Sequence, residues 1–119
     1  MASPKKKPRV RVLIGAATTL GPGKVDLLQA IAETGSIAAA ARRMGMSYRR
    51  AWLLIDHTNK CFREDLVMAA TGGRGGGGAE VTPVGHEVLR RYRDIEARAE
   101  DAVADHIAEF AHLLVDPEG

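Results

Sequence analysis

Residues Gly35 to Ile55 read "GSIAAAARRMGMSYRRAWLLI". The run is alanine-rich and helical in character, yet Gly45 breaks it near the middle. Ser36 is placed to cap a helix over "SIAAAARRMG", because a serine hydroxyl accepts from the unpaired N–H groups of an opening turn. Ile37, Ala40, Ala41 and Met44 then share one face. Gly45 ends that helix. Ser47 caps the next, from Tyr48 to about Phe62, with Ala51, Leu54, Ile55, Thr58 and Phe62 inward. Two short helices joined by "MGMS" have the form of a helix-turn-helix. Arg42 and Arg43 precede the break, and Arg49 and Arg50 follow it. Four guanidinium groups so close together repel one another, and a polyanion lying against them removes the conflict.

In a helix-turn-helix the second helix enters the major groove of DNA, leading with its first turn. Here that turn is Ser47, Tyr48, Arg49 and Arg50. Arginine can donate to O6 and N7 of guanine together, so Arg49 and Arg50 are the expected base readers. Ser36 is expected among the DNA-binding residues, and Arg42 and Arg43 are expected near phosphates. The competing reading is a basic turn neutralised by surface carboxylates. Only Asp56 lies near enough in sequence on the same helix to serve.

Upstream, "PGKVDLLQAIAE" from about Pro22 to Glu33 is helical, with Val25, Leu28, Ile31 and Ala32 on its apolar face. Gly35 suits its C-terminal cap. "RVRVLI" over 9–14 alternates like a short strand, and 15–23 reads as a loop. Downstream, residues 66–70 and 79–82 are strand candidates around "TGGRGGGG". Gly73, Gly75 and Gly78 match G-x-G-x-x-G, but a dinucleotide fingerprint needs a strand before it and a helix directly after it. The better expectation is the tip of a β-hairpin wing carrying Arg74, whose side chain suits a narrow minor groove. Thr82-Pro83 opens a last helix, expected from Pro83 to about Val115. Val88, Tyr92, Ile95, Ala99, Val103, Ile107, Phe110 and Leu114 recur along it every three or four residues. That stripe is longer than so small a domain can cover, which points to pairing with a second copy.

The whole chain has 119 residues and a net charge of +2. That figure conceals a balance of +8 in residues 1–74 and −6 in residues 75–119. A basic half suits nucleic acid better than a membrane surface, since no basic amphipathic helix with large apolar anchors is present. No apolar run has the length of a membrane span. The single cysteine, Cys61, cannot form an intrachain disulfide and fits a reducing cytoplasm. "PKKKPRV" at 4–10 resembles a nuclear import signal only superficially; a phosphate-touching or solvated basic tail over 1–8 accounts for it as well. His57 and Cys61 share a helix face, but no second close pair completes a metal site, so no metal or cofactor is expected. Cys61 is expected to be a core thiol and Trp52 a packing anchor.

Together these pieces resemble the N-terminal DNA-binding domain of the ModE-type, molybdate-responsive transcription regulators, related to the LysR type. The resemblance rests on Ser47-Tyr48 opening the second helix, Ala51-Trp52 one turn later, Ile55, and "TGGRGGGG" leading to Thr82 and Gly85. It covers about residues 9–100. It implies a winged helix, a symmetric dimer through the first and last helices, and operator binding. By position, Ser47, Tyr48, Arg49 and Arg50 would enter the major groove, Arg74 would sit on the wing, and Arg43 near the backbone. Full-length members add a C-terminal molybdate-binding region. This sequence ends at Gly119 and resembles a single-domain form, so oxyanion sensing does not transfer.

The expectation is thus a mostly α protein with a small β-hairpin. It has a basic tail over 1–8, a winged helix-turn-helix over 9–82 and a dimerisation helix over 83–119. Its expected partners are double-stranded DNA and a second copy of itself, and it is expected not to be an enzyme. Two rivals remain: a nucleotide-binding enzyme using the Gly72–Gly78 loop, and a protein-interaction module using the last helix.

Overall fold

A computed structural model describes residues 20–70 and 78–115. The basic tail, the strand expected over 9–14 and Arg74 with its glycine loop lie outside the described residues. The described residues form α1 (Pro22–Thr34), α2 (Ile37–Met44), α3 (Tyr48–Cys61), β1 (Val67–Ala70), β2 (Gly78–Val81) and α4 (Pro83–Ala111).

α1 is the centre of the packing and touches α2, α3, β2 and α4. Its sequence suggested one apolar stripe, yet Leu27 and Ala30 are buried along with Val25, Leu28 and Ile31. A helix packed on several sides buries residues beyond a single stripe. Against it, α2 and α3 present Ala40, Ala41 and Ala51, each with 1 % or less of its surface exposed. These small side chains let the helix backbones approach closely, which explains the alanine content. The caps are as expected. Ser36 Oγ accepts from Ala39 N at 3.0 Å, and Ser47 Oγ accepts from Arg50 N at 3.1 Å. Gly45 has φ 72°, a left-handed conformation that a side chain would strain, and its N–H closes α2 on Ala41 O and Arg42 O.

β1 and β2 pair antiparallel, Val67 opposite Val81 and Ala70 opposite Gly78. Val67 and Val81 enter the core while Met68 and Glu80 face outward. Three connections fix the hairpin to the helices. Asn59 of α3 accepts from Leu66 N and Val67 N and donates to Val67 O, at 2.8, 3.2 and 3.1 Å. Ala79 N donates to Gly35 O at 3.0 Å. Thr82 Oγ donates to Asp65 O at 2.7 Å and accepts from Gly85 N at 3.0 Å, capping α4.

α4 departs from expectation in two ways. Its first three turns belong to the chain's own core: Gly85, Leu89 and Tyr92 are buried, and Val88 packs against the core cluster. Tyr92, expected on the pairing stripe, is therefore already covered within its own chain at 1 % exposure. Arg93 holds this part of α4 to α1 by bonding Asp26 at 3.0 Å and, on its own helix, Glu96 at 2.9 Å. Burial alone would lower the pKa of Arg93, but the hydrogen bonds to Glu96 and Asp26 outweigh it and hold it above its ordinary value. The helix also ends at Ala111, not near Val115. Leu113 and Leu114 follow it through three-residue bonds to Phe110 O and Ala111 O, so Leu114 stands beyond the helix. Among the described residues no helix is long and apolar enough to cross a membrane.

Candidate nucleic-acid interface

α2 and α3 meet through the tight turn at Gly45, and α3 turns its first residues to solvent. Ser47, Tyr48, Arg49 and Arg50 are all exposed. The cause is local: Ala51, Ile55 and Thr58 bury the opposite side of α3, and Thr58 satisfies its hydroxyl within the helix by donating to Leu54 O. With that side inward, the side carrying Arg49 must face out.

The charge pattern is uphill for an isolated helix. The start of α3 carries the positive end of the helix dipole and two arginines, with no acidic residue in its first turn. Asp56, the carboxylate that could have neutralised them, is bound to Lys60 at 3.0 Å. Among the described residues neither Arg49 nor Arg50 has a carboxylate partner, and Arg42 has none either. Arg42 and Arg43 sit in the last turn of α2, where the dipole favours cations.

Arg43 differs from the other three. It pairs with Glu33 across the α1–α2 turn, and both side chains are about half exposed. Hydrogen bonds from Gln29 and then Arg43 hold the Glu33 carboxyl below its ordinary value. The hydroxyl of Ser36 is engaged in its cap, and the residue lines a cleft of about 470 Å³. That cleft runs between the start of α2, the flank of α3 and the hairpin, past Tyr48, Trp52 and Met68.

Trp52 corrects the sequence reading. It was expected to anchor the packing, but it is 46 % exposed, beside Tyr48 at 56 %. Both rings line the cleft between the start of α2, the flank of α3 and the hairpin. Leu53, which sequence reasoning passed over, is 47 % exposed on the outer side. A helical projection centred on Ala51, Ile55 and Thr58 would have found it. Cys61 is half-buried, not a core residue, and lies 3.8 Å from His57 Nε2. Among the described residues no group of three His, Cys, Asp or Glu side chains comes together to hold a metal. The antiparallel hairpin on both sides of the glycine loop lacks the strand-to-helix geometry of a dinucleotide site.

Comparison with known proteins gives a consistent result. Residues 23–86 match the pattern of the bacterial regulatory helix-turn-helix proteins of the lysR family. The molybdenum-pterin-binding protein MopB of Rhodobacter capsulatus is 44 % identical over 107 residues, covering 89 % of this chain and 38 % of that protein. The transcriptional regulator ModE of Yersinia pestis is 40 % identical over 96 residues, 78 % of this chain and 36 % of its own length. The DNA-binding transcriptional dual regulator ModE of Escherichia coli K12 is 39 % identical over 87 residues, 71 % of this chain and 33 % of its own. The chain thus spans less than two-fifths of the length of these relatives. A matched helix-turn-helix and relatives of this kind agree with the geometry, and the chain belongs to the lysR family of bacterial regulatory helix-turn-helix proteins, in its ModE-like part.

Proposed function

We propose that the chain is a homodimeric, sequence-specific DNA-binding regulator of transcription, acting in the cytoplasm and not as an enzyme. α3 lies in the major groove. Arg49 and Arg50 donate to guanine O6 and N7, while Ser47 and Tyr48 contact bases or phosphates at the groove mouth. Ser36, Arg42, Arg43 and Arg74 face the sugar–phosphate backbone, and Lys5–Lys7 add to the sequence-independent part of the affinity. The observation that carries this reading is the pair of guanidinium groups on the exposed start of α3 that have no carboxylate partner among the described residues, with Asp56 committed to Lys60. DNA supplies the missing anion.

The distal part of α4 joins two copies. Ile95 and Phe110 are 38 % and 62 % exposed, and Ala99, Val103 and Ile107 lie between them only half-covered. A stripe that its own chain leaves open is suited to a twin. Two symmetric recognition helices then meet half-sites one helical turn, roughly 34 Å, apart or a multiple of it. The name of the Rhodobacter capsulatus relative connects that protein with molybdenum, and genes of molybdenum uptake or use are the proposed targets. Molybdate itself is not required for DNA binding in this proposal.

The test is capture of sheared genomic DNA by the purified chain at about 0.15 M salt, with and without molybdate. The expected result is enrichment of a few promoter fragments that share a two-fold motif, alike in both arms. Recovery in proportion to genomic abundance refutes sequence-specific binding, and a molybdate-dependent set refutes the independence from effector. In a thermal-shift assay the same duplexes stabilise the chain, whereas ATP and NAD do not.

A further inference from the structure

The outward midline of α3 carries an apolar side chain that the contacts above leave unused. With Ala51, Ile55 and Thr58 inward, the turn of the helix puts Leu53 opposite them. It follows Arg49 by one turn and Arg50 by three residues. Leu53, Arg49 and Arg50 line one shallow concavity of about 320 Å³ together with Ser47 and Leu54. An isolated exposed leucine is ordinary. This one shares its concavity with guanidinium groups that have no carboxylate partner among the described residues, and on the flank of the same helix Tyr48 and Trp52 are exposed as well. A face both apolar and cationic matches neither water nor an acidic protein surface. It matches the major groove, which phosphates border and whose floor presents one apolar group, the C5-methyl of thymine.

We propose that Leu53 reads the C5-methyl group of a thymine lying within about two base pairs of the guanine read by Arg49. The inference rests on the reading in which α3 enters the major groove, and it adds to guanine recognition a second, non-polar element of sequence choice. Residues four apart rise ~6 Å along a helix, and base pairs rise 3.4 Å per step, so the two contacts fall one to two steps apart. Cytosine in that place has only a hydrogen at C5, so it offers leucine no methyl group to cover. Covering one methyl group is worth about fourfold in affinity.

The test uses the full chain and a random-core duplex library made once with thymidine and once with deoxyuridine, which pairs identically and lacks only the methyl group. From the thymidine library the chain enriches a guanine with a thymine at a fixed short distance. In a selected duplex, deoxyuridine at that thymine weakens binding about fourfold, and elsewhere it changes little. Leu53→Ala, with its fold checked by circular dichroism, abolishes this methyl effect and keeps the guanine preference. Leu53→Met, still apolar, retains both. Enrichment of guanine with no methyl-sensitive thymine nearby overturns the inference alone. So does a methyl effect undiminished in Leu53→Ala. A library from which nothing is enriched overturns the major-groove reading and the inference with it.

Discussion

Gly85 offers a prediction in which two physical effects oppose each other in sign. It lies in the first turn of α4, buried where that helix crosses the base of the hairpin. Replacing glycine by alanine in a helix ordinarily stabilises by about 1 kcal/mol. At this position a Cβ would stand 2.3 Å from Leu66 O and 2.5 Å from Val81 Cγ1. Val81 is itself buried, so its side chain has little room to turn away. The carbonyl of Leu66 accepts from Thr82 N at 2.9 Å, and moving it strains or breaks that bond. Overpacking of this kind costs about 1–3 kcal/mol, and the lost hydrogen bond about 1 more. The propensity gain offsets roughly one of these, leaving Gly85→Ala less stable by about 1–3 kcal/mol. Urea unfolding followed by circular dichroism, at fixed protein concentration so that the proposed pairing contributes equally to both proteins, should show a midpoint lower by about 1 M. An unchanged or higher midpoint with the same slope would show that α4 can lift off the hairpin without cost, and the close-approach reasoning would be wrong.

Arg49→Ala should weaken binding to a selected operator by on the order of 1–3 kcal/mol and flatten discrimination among sites. Arg42→Ala should weaken all duplexes alike and lower the salt slope by about one ion; fluorescence anisotropy at several salt concentrations separates the two. If the proposed dimer forms through α4, Ile107→Asp should convert it to monomer in sedimentation velocity without changing helix content, and lower operator affinity on the order of 10²-fold as one half-site is lost. Glu33→Gln should free Arg43 and raise affinity for any duplex by up to about fivefold at pH 7, the worth of an exposed pair. The sign follows from the depressed carboxyl of Glu33. Its contribution is present above the ordinary value of 4.5 and is lost only as pH falls through the lower folded value, so the pair is intact at pH 7. An unchanged affinity would mean that DNA already displaces Glu33 without cost.

Much of the molecule was legible before any coordinates. Ser36 and Ser47 announced the starts of α2 and α3, and Gly45 the end of α2, because a cap is settled by a hydroxyl and an N–H three residues away or by the φ angle of one residue. The hairpin followed from two short apolar runs around glycines, and the opening of α4 from Thr82-Pro83. The candidate site was legible to the same degree, since its arginines belong to the turn that those caps define.

What the sequence left open were questions of which neighbour covers which face. The periodic stripe of α4 looks uniform from Val88 to Phe110, yet Tyr92 is buried under its own chain while Phe110 stands in solvent. Periodicity marks a face as apolar and carries no information on whether α1 or a second copy lies against it. Trp52 is exposed for the related reason that the hairpin stands off the flank of α3 and leaves a cleft between them. The pairing of Arg43 with Glu33 depends on how sharply the chain turns between α1 and α2. The sequence alone determined, to within a residue or two, where α1, α2 and α3 start and stop and where α4 opens, through interactions a few residues in range, but not where α4 ends. Only the tertiary structure decided which side chains remain open for DNA or a partner, because that depends on elements distant in the chain arriving in the same place.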